Sequence, residues 1–381
     1  MKRYDVIVIG AGAAGLSAAG VLCARGKRAV VFDMGACPGR KVMVSGGGRC
    51  NITNLAVKHD RYFGENPDFV RGAISRVSPN DIIEWADSHN IALVEKNAGQ
   101  YFCADGAGVV LDALMDDSCG ADFVYDTMVD KVRKDGDDFI VNGCVAKSVI
   151  VATGGASFGA LGVSDVGYKI AKSFGHKIVP VRPALCALVC AGAPSELAGV
   201  SLDVQIKVGK NTVRDSLLFT HFGFGGPATY RASLYDLGGG ICINLLPDMD
   251  VFAELRNAKK VCGRKSVAGI LSQWLPARVA KWIAGKDMRN IADVKDSEIA
   301  QIAQRVSCMY VPGKKIKYHG LAGAEVVRGG VDTNQVSSKT MESKLCPGLF
   351  FAGEVLDVAG DLGGFNLHWA WASGRVAGEN A

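Results

Sequence analysis

The sequence predicts an α/β protein built on a Rossmann-type dinucleotide-binding domain that is interrupted by a second domain. Three observations predict it. Residues 4–33 run strand, glycine turn, helix, strand, acid; an apolar strand at 148–152 enters Thr153-Gly154-Gly155; and residues 348–376 return to the style of the first segment.

Tyr4 to Ile9 is a short apolar run of the kind that forms a buried parallel strand. Leu16 to Arg25 reads as a helix ended by Gly26, and Arg28 to Phe32 as a second strand that delivers Asp33 and Met34. Between them lies Gly10-Ala11-Gly12-Ala13-Ala14-Gly15. In such a fingerprint Gly10 allows a tight turn, Gly12 lets the backbone approach a pyrophosphate, and Gly15 lets the helix pack close to the strand. The helix N-terminus, at Ala13 and Ala14, offers free N–H groups and a positive dipole end to phosphates, and Asp33 accepts from a ribose hydroxyl.

Gly39-Arg40-Lys41 and then Ser45-Gly46-Gly47-Gly48-Arg49-Cys50-Asn51 follow, where an ordinary NAD domain would continue into its next helix and strand. Such a loop can lay backbone N–H groups and Arg40, Lys41 or Arg49 against phosphates or a polar ring. Cys50 lies among these cations, which are expected to lower its pKa and make it reactive.

Further on, Asn80–His89 and Gly108–Asp117 read as helices, and Ile91–Glu95, Gln100–Phe102, Phe123–Tyr125, Phe139–Val141 and Ser148–Ala152 as strands. The character changes near Pro180–Pro183. Val204–Val208 alternates like a half-exposed antiparallel strand, and 251–309 turns helical, with Pro276 suited to a first helical position. Trp274 and Trp282 there are read as packing residues. The expected domains are residues 1–184 and 336–381 for the nucleotide-binding domain, 185–250 with 311–335 for a β-rich insertion, and 251–310 for a helical part.

Together these segments resemble one family closely. The fingerprint with Asp33, G-R-K-V-M-V-S-G-G-G-R-C-N from Gly39, V-A-T-G-G from Val151 and F-T-H-F-G-F-G-G-P-A from Phe219 carry part of the resemblance. T-M-E-S-K from Thr340, P-G-L-F-F-A-G-E-V-L-D-V-A-G from Pro347 and G-G-F-N-L from Gly363 carry the rest. They are similar to bacterial NAD(P)/FAD-dependent oxidoreductases, a group that includes the aminoacetone-oxidase family. The resemblance implies a glutathione-reductase-like FAD domain carrying a β-rich domain with a helical insertion. It assigns the dinucleotide as tightly bound FAD; the electron partner stays open between NAD(P)H and oxygen. It places Gly10, Gly12, Gly15 and Asp33 on the pyrophosphate and adenosine ribose. Arg40, Lys41, Ser45, Gly46, Gly48, Arg49 and Asn51 fall along the basic loop at the flavin side, and Val129 falls near adenine. Thr153 and Gly154 pass near the pyrophosphate, while Gly353, Glu354 and Asp357 fall by the ribityl chain. Gly364, Phe365, Asn366 and Leu367 form a helix N-terminus suited to the negative charge of a reduced flavin. The segment Leu161–Tyr168 departs from the family pattern T-G-S-T-G-D-G-Y.

For acid–base chemistry the candidates are His221, His319 and His368, with Cys50 as the reactive thiol. Gly223-Phe224-Gly225-Gly226-Pro227-Ala228 formally fits a second fingerprint, but Pro227 removes an N–H from the phosphate turn. Twelve scattered cysteines contain no C-x-x-C pair, so most are expected to be reduced and no metal site is expected. The net charge is +5, and the clusters Lys259-Lys260, Arg264-Lys265 and Lys314-Lys315 with Lys317 lack interleaved aromatics, so they read as solvated faces. No apolar run is long enough to span a bilayer, and the first strand begins by residue 4, leaving no room for a signal peptide. The expectation is a cytoplasmic FAD-dependent oxidoreductase acting on a small organic molecule, with no nucleic-acid or membrane partner. An oxygen-using amine oxidase and a flavin-binding redox sensor are the alternatives.

Overall fold

The computed structural model describes residues 1–96, 99–159, 165–285 and 289–381. The chain divides into two compact units, residues 1–183 with 324–381, and residues 184–323. The return to the first unit thus comes at Ala324, earlier than the expected 336. The reason is pairing: the strand Val326–Val331 lies beside Ile178–Ala184, and the Asp332 N–H donates to the Lys177 carbonyl at 3.0 Å.

The first unit is organised by a five-stranded parallel sheet. Its spatial order is Leu349–Phe351, Ser148–Val151, Val6–Ile9, Ala29–Phe32, Asp122–Val124. Val6–Ile9 and Ala29–Phe32 are buried throughout, as their continuous apolar sequence requires. The register puts Phe351, Val151, Ile9, Phe32 and Val124 in one row, so the segments that follow them all leave from the same edge. That edge is where an open α/β sheet binds ligands. The helix Ala13–Ala24 packs on the sheet and against the last helix, Phe365–Asn380. The two backbones approach so closely that a Cβ at Gly374 would lie 2.2 Å from the Ala14 carbonyl oxygen.

The second unit is a seven-stranded sheet whose paired strands run antiparallel, with Ser201–Val208 and Asn211–Phe219 at its centre. Val204, Ile206 and Val208 face the core while Gln205 and Lys207 do not, which is the alternation of the sequence. Helices Val251–Val261, Val267–Leu271, Ala277–Ala284 and Asp296–Ser307 share this core, with Trp274 and Trp282 packed against it. Pro276 is the N-cap of its helix, not the first helical residue, with extended ψ of 136°. Gly223–Gly225 is a strand of this sheet and the helix after it, Pro227–Ala232, has only six residues, so no second Rossmann turn forms. One cysteine pair departs from the expectation of reduced thiols: Cys242 and Cys308, 66 residues apart in sequence, are joined in a disulfide. Among the described residues no helix is long and apolar enough to cross a membrane.

Candidate functional site

The glycine turn shows which of its residues serve the protein and which serve a ligand. Gly10 has φ +108°, and a Cβ there would sit 2.4 Å from the Ala152 carbonyl oxygen. A Cβ at Gly15 would lie 1.8 Å from the Gly10 carbonyl oxygen. A Cβ at Gly12 would meet nothing within 4 Å. Protein packing therefore accounts for Gly10 and Gly15 but not Gly12, which fronts open space at the N-cap of a helix with no capping side chain and no acid in its first turn. Gly154, at φ +73°, likewise has nothing within 4 Å of a built Cβ. An uncapped helix start fronted by open space is what a pyrophosphate requires, so these residues fit a dinucleotide.

Asp33 stands at the end of the next strand with its side chain 11% exposed. Its Oδ2 accepts from the Ala11 N–H and its Oδ1 from the Gly35 N–H, both at 2.7 Å, which fixes the carboxylate beside the glycine turn. Arg40 pairs with Asp33 at 3.3 Å and lies over Gly35. Arg40, expected along the flavin side, is thus tied to Asp33 beside the glycine turn. Met34 is half-buried beside it, and Val129, beyond the edge strand, is buried in the core.

The carboxylates of Glu354 and Asp357, expected by the ribityl chain, are hydrogen-bonded within the protein. Glu354 Oε2 accepts from Lys41 Nζ at 2.7 Å and the Gly155 N–H at 3.2 Å. Its Oε1 accepts from the Ser157 hydroxyl at 3.1 Å and the Val327 N–H at 3.0 Å. Lys41 also donates to the Ser157 Oγ at 2.7 Å. Asp357, 2% exposed, accepts from the Glu65 N–H at 2.8 Å and the Gly329 N–H at 3.0 Å. Even the Gly353 backbone is engaged, its N–H donating to Ser373 Oγ at 2.9 Å and its carbonyl accepting from the Trp369 indole at 3.1 Å. These hydrogen bonds tie the motif residues into the frame of the cradle. Ser157, Trp369 and Ser373 complete it; no local signal singles them out, since their partners lie elsewhere in the chain.

At the opposite end, Gly363 (φ +104°) and Gly364 (φ +96°) turn the chain into the helix Phe365–Asn380, which starts without a side-chain cap. A Cβ at Gly364 would strike the Thr53 carbonyl oxygen at 2.6 Å. With its amide oriented to satisfy both ends, Asn51 accepts from the Gly364 N–H at 3.2 Å and donates to the Tyr101 carbonyl at 3.3 Å. Asn366 braces the preceding loop, accepting from the Gly360 N–H at 2.7 Å and donating to the Gly360 carbonyl at 3.0 Å. Phe365 is buried and Leu367 half-buried. The first-turn N–H groups of this helix form the dipole end available to a developing negative charge.

The Ser45–Asn51 loop is a tight left-handed turn. Gly46, Gly47, Gly48 and Cys50 have φ between +48° and +83°, and the Ser45 carbonyl accepts from both the Gly48 and Cys50 N–H groups. Ser45 Oγ donates back to the Val42 carbonyl at 2.7 Å, and Arg49 is exposed. Cys50 corrects the expectation of a reactive thiol. It is fully buried, and burial pushes its pKa up to about 12, the opposite of activation.

His368 is corrected too. It is fully buried, with Nδ1 2.8 Å from Thr53 Oγ1 and Nε2 2.9 Å from the Val77 carbonyl. A neutral ring donating from Nε2 and accepting at Nδ1 satisfies both contacts, and burial lowers the pKa to about 4. It is a structural histidine. His221 and His319 are exposed and lie in the second unit, His319 with its ring stacked on Phe222. Of the Leu161–Tyr168 departure, residues 161–164 lie outside the described residues.

The HI0933-like protein Rossmann domain model matches residues 4–380. The chain belongs to this HI0933-like family. A ribosomal RNA dihydrouridine synthase of Escherichia coli is 38% identical over 397 aligned positions, spanning 100% of this chain and 98% of that protein. The protein of the same name from Haemophilus influenzae is 38% identical, spanning 98% of this chain and 97% of that protein. A 3-dehydro-bile acid delta(4,6)-reductase of Clostridium scindens is 28% identical, spanning 98% of both. The HI0933-like chain is an FAD-dependent oxidoreductase. The expectation of a small organic substrate, with its amine-oxidase and sensor alternatives, is overturned by the two more similar relatives, whose names give ribosomal RNA as the substrate.

Proposed function

We propose that this flavoprotein reduces a uridine of ribosomal RNA to dihydrouridine, with NADH or NADPH as the source of electrons. The observation that carries the reading is the end-to-end similarity, at 38% identity, to two ribosomal RNA dihydrouridine synthases. The reaction adds two electrons and two protons across the C5=C6 bond of the base. FAD supplies hydride transfer of this kind when bound. The chain's own groups hold the dinucleotide at Gly12 and Asp33, brace the cradle through Lys41 and Glu354, and present the start of the Phe365–Asn380 helix to negative charge. The reading makes a nucleic acid the partner, where the sequence led to an expectation of none.

Charge distribution supports it. Residues 184–323 carry 18 Lys and Arg against 11 Asp and Glu, a net of +7, whereas the rest of the chain carries 25 against 27. A basic unit of this kind suits a polyanion more than a small neutral molecule. Resemblance to the aminoacetone-oxidase branch adds nothing here, since amine oxidation is the activity the relatives' names displace. The test is nucleoside analysis of ribosomal RNA with and without the gene, followed by treatment of the deficient RNA with purified protein and NADH or NADPH. The expected result is loss and restoration of a uridine carrying two extra hydrogens. Unchanged dihydrouridine on deletion, with no product in vitro, would refute the reading.

A further inference from the structure

The second unit carries an exposed aromatic pair. A tight turn, closed by the Thr220 N–H donating to the Gly223 carbonyl at 2.9 Å, sets His221 and Phe222 in solvent. Gly223 permits it, since a Cβ there would lie 2.1 Å from the Leu188 carbonyl oxygen. Phe222 remains 39% exposed, and its ring stacks on His319 with centroids 4.6 Å apart and planes inclined by 24°.

The strand leading to His319 supplies the charge. Along residues 315–319, Ile316 and Tyr318 pack toward the core while Lys315, Lys317 and His319 are exposed, so these three share the solvent face. Lys317 is in register with Val189, and Val189 with Gly223, which places the lysine row one strand away from the turn that carries Phe222. Among the described residues neither Lys315 nor Lys317 forms a salt bridge. The basic cluster that looked like a solvated face therefore does have an aromatic neighbour, supplied from 95 residues upstream of Lys317.

The geometry points to the Phe222–His319 pair as a base-stacking platform for an unpaired nucleotide of the RNA substrate, with Lys315 and Lys317 meeting the flanking phosphates. This rests on the reading of RNA as substrate. Every nucleobase has a face that stacks on a flat, solvent-exposed aromatic surface, and cations near it neutralise the backbone. The unit's net charge of +7 favours the same ligand.

The test uses flavin-loaded protein and a fluorescently labelled, uridine-rich single-stranded oligoribonucleotide, read by anisotropy across a salt series. Phe222→Ala is expected to weaken binding by about 5- to 150-fold, the range for loss of one base–aromatic stack. Phe222→Trp is expected to retain binding. Lys315→Ala with Lys317→Ala is expected to reduce the slope of log affinity against log salt by about 1.4, or about 0.7 per phosphate lost. Flavin content reports that each variant is folded. Wild-type affinity in Phe222→Ala, a loss that Phe222→Trp does not rescue, or no binding by the wild type would overturn the platform. Dihydrouridine formation in ribosomal RNA is scored separately: if the wild type makes it while Phe222→Ala binds normally, the platform fails and the functional reading stands. If the wild type makes none while binding still depends on Phe222, the reading fails and the platform stands.

Discussion

The three glycines of the first turn answer to different neighbours, so alanine at each has a different expected cost. At Gly15 the added Cβ would lie 1.8 Å from a backbone oxygen, and at Gly10 2.4 Å from another with φ at +108°; both substitutions disrupt the fold. At Gly12 the backbone is extended, φ −85° and ψ −172°, and the Cβ meets no protein atom within 4 Å. Gly12→Ala should therefore destabilise the apoprotein by no more than about 1 kcal/mol, the scale of a weakened N-cap. The same methyl occupies the space through which a pyrophosphate reaches the helix N–H groups. Losing one charge-assisted hydrogen bond there, at about 1.5–3 kcal/mol, lowers FAD affinity about 10- to 150-fold. Titrating deflavinated wild-type and Gly12→Ala protein with FAD, alongside denaturant melts of both apoproteins, measures the two quantities independently. A Gly12→Ala protein that binds FAD as tightly as the wild type would refute the argument that this space belongs to the cofactor.

Glu354→Gln leaves Lys41 without its anionic partner in a half-buried site, so stability should fall by about 1–3 kcal/mol, with weaker flavin retention, both readable in melts and FAD titration. His368 is held neutral in the fold with its pKa lowered from 6.5 to about 4. Between those values the unfolded chain binds the extra proton, so stability is full above pH 6.5 and declines as pH falls toward 4. Its contribution to the slope approaches about 1.4 kcal/mol per pH unit in that window. Denaturant melts of wild type and His368→Gln should show this part of the slope only in the wild type, and equal slopes would exclude a buried neutral histidine. Iodoacetamide at pH 8 should label exposed Cys37 and Cys119 in the native protein and spare Cys50, with mass mapping as the check.

Much of the first unit was legible because its signals are local. An apolar run, a glycine turn and a terminal acid lie within 33 residues, and each acts on its chain neighbours. The Glu354 and Asp357 motif was visible, but the protein partners of its carboxylates were not. A carboxylate near a cofactor turn looks the same in sequence whether it faces a ribityl chain or four protein donors, and only the folded chain brings Lys41, Gly155, Ser157 and Val327 to Glu354. Cys50 failed for a similar reason. Its sequence neighbour Arg49 is cationic, but its packing neighbours exclude water, and desolvation outweighs the lowering effect of the Ser45 side-chain hydrogen bond.

The sequence by itself determined the parallel sheet, the glycine turn with a helix after it and the presence of an inserted second domain, because hydrophobic periodicity and glycine act where they stand. Tertiary structure decided which polar groups remain for a ligand. It placed five strand ends in one row, used up the Glu354, Asp357 and His368 side chains inside the first unit, and stacked Phe222 on His319 beside Lys317 in the second. Those outcomes depend on contacts between residues far apart in the chain, where burial and hydrogen-bond competition, not spacing, set each side chain's role.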